Sequence, residues 1–82
     1  ENEAATIYPN PFNSSVTIII HEASQVNRAE FRLYSILGTE VMSTTIAKQV
    51  TTVETGDLSP GVYFYKVICN DKIIQSGKLI SK

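Results

Sequence analysis

His21 and Cys69 are the only imidazole and the only thiol in a chain of 82 residues. A cysteine nucleophile needs a base or a positive environment to become a thiolate, and nothing in the spacing brings these two together. A single cysteine can form no internal disulfide, and its plainer role is a small buried hydrophobe or a partly covered strand residue. His21 ends an apolar run, where a surface position is expected. Ser59 lies in "GDLSPG", which lacks the G-x-S-x-G spacing of a nucleophile elbow. One His and one Cys cannot close a zinc site unaided. Asp57 and Asp71 fall in separate turn clusters and read as turn formers. There is no glycine-rich phosphate cradle. No catalytic residue, metal ligand or cofactor is therefore assigned, and the chain reads as not an enzyme.

Residues suited to binding are more plentiful. Tyr34, Tyr63 and Tyr65 could stack on sugar rings if they stood exposed in a row, and Tyr63 and Tyr65 share one face of a strand. Core packing with the hydroxyls at the edge is the stronger expectation, and the chain has no tryptophan. "SGKLISK" sets Lys78 and Lys82 around an apolar pair. Lysines on an edge strand commonly block aggregation, and they could also be the charged part of a recognition tag. "YPNPF", Tyr8–Phe12, is the stiffest stretch. Pro9 and Pro11 have fixed φ and no N–H, and the residues before them are pushed to extended geometry. The segment is expected to be a non-pairing crossover between sheets, its aromatics closing the end of a sandwich. It could also present a stiff surface to a partner, the lesser of the two expectations.

The elements that must position these residues are strands. Short apolar runs rich in β-branched and aromatic residues alternate with Pro, Gly, Asn and Asp, and no window shows a helical period. Strands are expected at Ala5–Tyr8 and Ser15–Ile20, the latter with Val16, Ile18 and Ile20 on one face. "AEFRLYSI" follows, with Phe31 and Leu33 opposite Arg32 and Tyr34. Gly38 can take positive φ and reverse the chain into "TEVMSTTI". "VTTVET" comes next, then "GDLSPG" as a turn. "GVYFYKVIC" is apolar on both faces except Lys66, as a central strand would be. Asn70–Asp71 turns the chain into "KIIQSGKLI". Seven strands with short connections fit an all-β, immunoglobulin-like antiparallel β-sandwich.

Composition narrows the class further. There are 7 basic and 8 acidic residues without a long run of either sign, so no nucleic-acid partner is indicated. No apolar run approaches the roughly 20 residues of a transmembrane helix. The chain opens on Glu1 with no signal-peptide pattern, and it is expected to be one domain cut from a longer protein.

The order of the pieces "YPNPF", "SSVTIII", "FRLYSILGTEV", "LSPGVYFYKV" and "GKLISK" resembles the C-terminal sorting domain, type A, of the type IX secretion system of Bacteroidetes-related bacteria. The resemblance runs from about Ile7 to Lys82. Tyr8, Pro9, Asn10 and Pro11 match the opening motif of that family. Leu33, Tyr34 and Gly38 match its "lYD-x-x-G" hairpin, with Ser35 where the family usually has Asp. Leu58, Gly61, Val62 and Tyr63 match "L-x-x-G-x-Y". Gly77, Lys78 and Ile80 match the terminal "G-K-hydrophobic" motif, and Lys82 adds to the lysines common on the last strand.

The resemblance implies an address rather than a catalyst. Residues 7–82 would be the sorting domain, and residues 1–6 the linker from an upstream cargo, with cleavage near or before Ala4–Ile7. The partners implied are the outer-membrane translocon, a sortase-like protease and the covalently attached cargo. The location implied is the periplasm in transit, then the cell surface or the medium. The rival expectations are a carbohydrate-binding or accessory β-sandwich of a secreted enzyme, using Tyr34, Tyr63 or Tyr65, and a structural spacer.

Overall fold

The computed structural model describes residues 4–82, so the first three residues of the expected linker lie outside it. Strands form where β-branched and aromatic residues alternate with polar ones. They are β1 (Ala5–Tyr8), β2 (Ser15–Ile20), β3 (Ala29–Ser35), β4 (Glu40–Ile46), β5 (Val50–Glu54), β6 (Gly61–Cys69) and β7 (Lys72–Ser81). A single 3-10 turn, Ala23–Gln25, lies between β2 and β3. One sheet has the order β1-β2-β5 and the other β4-β3-β6-β7, and every strand pair is antiparallel. The two sheets stack as an immunoglobulin-like sandwich, as the residue pattern implied.

Alternation decides which side chains fill the space between the sheets. Val16, Ile18 and Ile20 of β2 are fully buried, facing Phe31 and Leu33 of β3, Tyr63 and Val67 of β6, and Leu79 of β7. Burying each such aliphatic or aromatic side chain contributes about 1.5–3 kcal/mol, and this single layer is the core.

Two turns set the registers of the larger sheet. Between β3 and β4, the Gly38 amide donates to the Ser35 carbonyl at 2.9 Å and the Ser35 amide to the Thr39 carbonyl at 2.8 Å. Gly38 has φ +91°, a conformation costly for any residue with a Cβ. Between β6 and β7, Asn70 and Asp71 both have positive φ, which gives the two-residue turn whose twist suits a hairpin. β6 is indeed central, pairing with β3 on one side and β7 on the other. Its second apolar face is not covered, however, and Phe64 is 43% exposed.

The expectation for "YPNPF" requires correction. β1 and β2 are neighbours in the same sheet, so the segment is no sheet-to-sheet crossover. It is an excursion that leaves one sheet, touches the edge of the other and returns. Nor is it non-pairing, because Phe12 makes a parallel bridge with Ser81.

Candidate recognition surface

β7 is an edge strand, and its outward amides and carbonyls would be open to any passing strand. "YPNPF" closes the C-terminal half of that edge. The Phe12 amide donates to the Ile80 carbonyl at 2.8 Å, and the Lys82 amide donates to the Phe12 carbonyl at 2.9 Å. Before Phe12, Pro9 and Pro11 have no backbone N–H to donate. There the Asn10 side chain stands in for a peptide group. Its Nδ2 donates to the Lys78 carbonyl at 3.1 Å, and its Oδ1 accepts from the Ile80 amide at 3.0 Å. A carboxamide carries both a donor and an acceptor, which explains why this residue type sits between two prolines. The peptide bonds Tyr8–Pro9 and Asn10–Pro11 are both cis.

The aromatics of the motif part company. Phe12 is fully buried, with its ring centroid 6.4 Å from that of Tyr63. Tyr8 is 46% exposed. The Tyr63 hydroxyl donates to the Ser59 carbonyl at 2.7 Å, which ties β6 to the "GDLSPG" turn. Leu58 packs on the core from that turn. Gly61 has φ +147° where β6 begins.

These contacts gather motifs that lie far apart in the chain. Tyr8–Pro11, Leu58–Tyr63, the Gly38 turn and Ile80–Lys82 all stand at one end of the sandwich, as the pairings Ser35–Tyr63, Val62–Ile80 and Phe12–Ser81 require. At this end Ile36 and Leu37 form the exposed tip of the β3–β4 turn. Ala5, where the described chain enters β1, pairs with Ile20 at the other end. Gly77 and Lys78 lie between the two.

Gly77 answers to a side chain across the strand. A Cβ there would meet Tyr65 Cε2 at 2.7 Å and Oη at 2.9 Å. Tyr65 in turn stacks on Phe31, with centroids 5.9 Å apart, and its hydroxyl accepts from Gln75 Nε2 at 3.0 Å. Gln75 was not foreseen. Its Oε1 accepts from the Ala5 amide at 2.9 Å, and its Nε2 also donates to the Ala5 carbonyl at 2.9 Å. A second carboxamide thus bridges β7 to β1, as Asn10 bridges β7 to the loop. A polar residue in "KIIQSGKLI" was the sole sequence signal for it.

The outer face of the larger sheet divides by charge. On the β3–β4 half, Arg32 donates to Glu30 at 2.8 Å and reaches Glu40 at 3.5 Å. The hydrogen bond to Glu30 is the main reason that the Arg32 pKa lies above its ordinary value. On the β6–β7 half the charged side chains near Phe64 are lysines. Lys66 Nζ sits 4.8 Å from the centre of the Tyr34 ring, a cation–π contact, and Lys78 is exposed opposite Phe64.

The three tyrosines do not form a platform for sugar. Tyr63 is buried and Tyr65 is packed in the interior, whereas Tyr34 lies on the opposite face beneath Lys66. His21 and Cys69 stay apart in role as well. The His21 ring shares a 2.6 Å hydrogen bond with the Thr6 hydroxyl, and Cys69 is buried in the other sheet. Among the described residues no group of three His, Cys, Asp or Glu side chains is placed to hold a metal ion.

A family model for the secretion system C-terminal sorting domain matches residues 6–82. The chain belongs to that family. The sorting-domain match spans all seven strands apart from Ala5, and it includes every motif gathered at the end described above. A comparison with curated proteins gives no match. Sorting domains of this family serve type IX secretion and are not catalytic, which concerns this domain and not the rest of the protein that carries it. Membership implies interaction with the type IX machinery and export toward the cell surface or the extracellular space. No helix among the described residues is long and apolar enough to cross a membrane.

Proposed function

We propose that the folded domain is the address itself, read by the type IX machinery after it has folded in the periplasm. The cargo precedes Ala5 and leaves from one end of the sandwich. The opening motif and the terminal strand are joined at the other. The observation that carries this reading is the set of four hydrogen bonds between Asn10 or Phe12 and Lys78–Lys82. They make one surface of two motifs about seventy residues apart, and that surface exists only in the folded chain. Tyr8, Pro9, Asn10, Pro11, Gly38, Leu58, Gly61, Val62, Tyr63, Gly77, Lys78, Ile80 and Lys82 are its proposed determinants. Some act by direct exposure. Others, such as Tyr63 and Gly77, act by holding the shape.

After translocation a sortase-like protease separates cargo from domain and joins the cargo to the cell surface. The reading places this cut in or before residues 1–6, at the expected linker. Ala5 is held by β2 and by Gln75, so a cut in the folded domain falls ahead of it.

The test is a reporter fused ahead of residues 1–82 in a host with the system. The expected result is a reporter outside the outer membrane, its intact mass showing loss of the domain at a bond before Ala5. Retention of a folded fusion in the periplasm contradicts the sorting reading. An exported reporter that keeps the whole domain contradicts the processing step alone.

A further inference from the structure

The edge of β7 is the obvious place for a partner strand to add, yet its C-terminal half is occupied. Asn10 and Phe12 take the outward groups of Lys78, Ile80 and Lys82, and Gln75 is committed to Ala5. What the motif-bearing half of the terminal strand, Lys78–Lys82, offers to a partner is therefore its outer face.

Alternation puts Gly77, Leu79 and Ser81 inward and Lys78 and Ile80 outward. Beside them on β6 are Val62, Phe64 and Lys66. Phe64 is 43% and Ile80 40% exposed, and with Val62 they form one apolar strip that ends at Lys66 and Ser76. A shallow groove runs along the seam, lined by Phe64, Tyr65, Lys66, Ser76, Gly77 and Lys78. Isolated exposed apolar residues need no explanation, but a contiguous strip of them marks an interaction site. Aromatic anchors ringed by charge are the usual core of such sites.

Charge selects the partner. The acids of this face, Glu30 and Glu40, lie on the β3–β4 half and are engaged by Arg32. Lys66 and Lys78 flank Phe64, and among the described residues neither is in an ion pair. An apolar strip with cations on its rim is complementary to a surface with an apolar centre and carboxylates around it. A polyanionic glycan would satisfy the lysines and leave Phe64, Val62 and Ile80 uncovered, so a protein surface fits better.

We infer that the outer face of β6–β7, centred on Phe64 and Ile80 with Lys66 and Lys78 at its rim, docks an acidic, apolar-centred protein surface of the secretion machinery. This rests on the sorting function proposed above.

The experiment compares export of a reporter fused to the wild-type domain with export of fusions carrying Phe64→Ser, Ile80→Ser or Lys78→Glu. Val50→Ser serves as control, since Val50 is 54% exposed on the opposite sheet. Circular dichroism and thermal melting of the purified domains identify the variants that fold. Lys78→Glu keeps the test valid if an apolar variant does not. The expected result is at least a tenfold fall in export for the folded face variants and no change for Val50→Ser. Wild-type export by folded face variants, or an equal fall for the control, overturns the inference while leaving the sorting reading intact. No export of the wild-type fusion overturns the sorting reading itself. Sedimentation of the purified domain and flotation with anionic vesicles check other occupants. A dimer abolished by Phe64→Ser assigns the face to a second copy, and lysine-dependent flotation assigns it to a lipid surface. Either result overturns the proposed partner from the secretion machinery.

Discussion

Replacing Gly77 by alanine adds one methyl group, and the structure sets its effect. Gly77 lies in a strand without a left-handed backbone angle, so no conformational penalty arises. The methyl carbon would stand 2.7 Å from Tyr65 Cε2 and 2.9 Å from its hydroxyl oxygen. A free tyrosine would swing aside at little cost. This one is pinned by its stack on Phe31 and by the Gln75 hydrogen bond. Displacing the ring forfeits an aromatic pair of about 0.5–1.5 kcal/mol and a hydrogen bond of about 0.5–1.5 kcal/mol. Gly77→Ala should therefore destabilise the domain by about 1–3 kcal/mol, the usual range for overpacking. At roughly 4–8 °C per kcal/mol in a domain of this size, Tm should fall by roughly 4–24 °C. In a Tyr65→Leu background the clash is gone. The same substitution should then be neutral, or stabilising by about 0.4–1 kcal/mol through the unfolded chain. Urea denaturation of the four proteins of this cycle gives the coupling directly. Equal cost of Gly77→Ala in both backgrounds, or no cost in the first, refutes the packing account of this motif glycine.

Other outcomes follow from the same contacts. Asn10→Ala removes two hydrogen bonds to β7 and should cost about 1–2 kcal/mol in urea denaturation. Asn10→Asp keeps the acceptor for the Ile80 amide but loses the donor to the Lys78 carbonyl, so it should also destabilise the domain in urea denaturation. Gln75→Ala frees Ala5 and the Tyr65 hydroxyl. Amide exchange should accelerate in β1 well before β3 and β6, a local opening rather than a global one. Phe12→Ala empties a fully buried site at a cost of about 3–5 kcal/mol. That is a large share of the roughly 4–12 kcal/mol available to a domain of this length, and thermal melting should show a marginal or unfolded protein.

Local pattern carried most of the fold. β-branched alternation located β1 and β2 to the residue, because a one-residue shift would turn Val16, Ile18 and Ile20 to solvent. Gly38 and Asn70–Asp71 marked hairpins because few residues tolerate their backbone angles. Partners distant in sequence were not legible. Nothing near Asn10 says that its carboxamide lies against Lys78 and Ile80, and the two prolines suggested a segment that avoids pairing. They do withhold their own amides, but the side chain between them supplies what they lack. Gln75 was hidden for the same reason. A strand apolar on both faces was correctly central in its hydrogen bonding. Its sequence could not say that the second face lacks a cover, since periodicity reports a face and not what lies over it. Tyr63 and Tyr65 were placed on one face, and the register with Gly77 shows that this face looks inward. The order of the five motifs announced the family, because together they set the turn residues Gly38 and Gly61 and the Asn10 loop among the strands β2, β3, β6 and β7 in one fixed sequence.

As proposed here, the folded sandwich is by itself sufficient as a type IX address. The most direct measurement is the partition of a reporter fused ahead of residues 1–82 between periplasm and exterior, in a secreting host and in a matched strain lacking the outer-membrane translocon. The reporter should lie outside the first strain and be retained, with the domain folded, in the second. Retention in both strains, or escape from both, contradicts this reading.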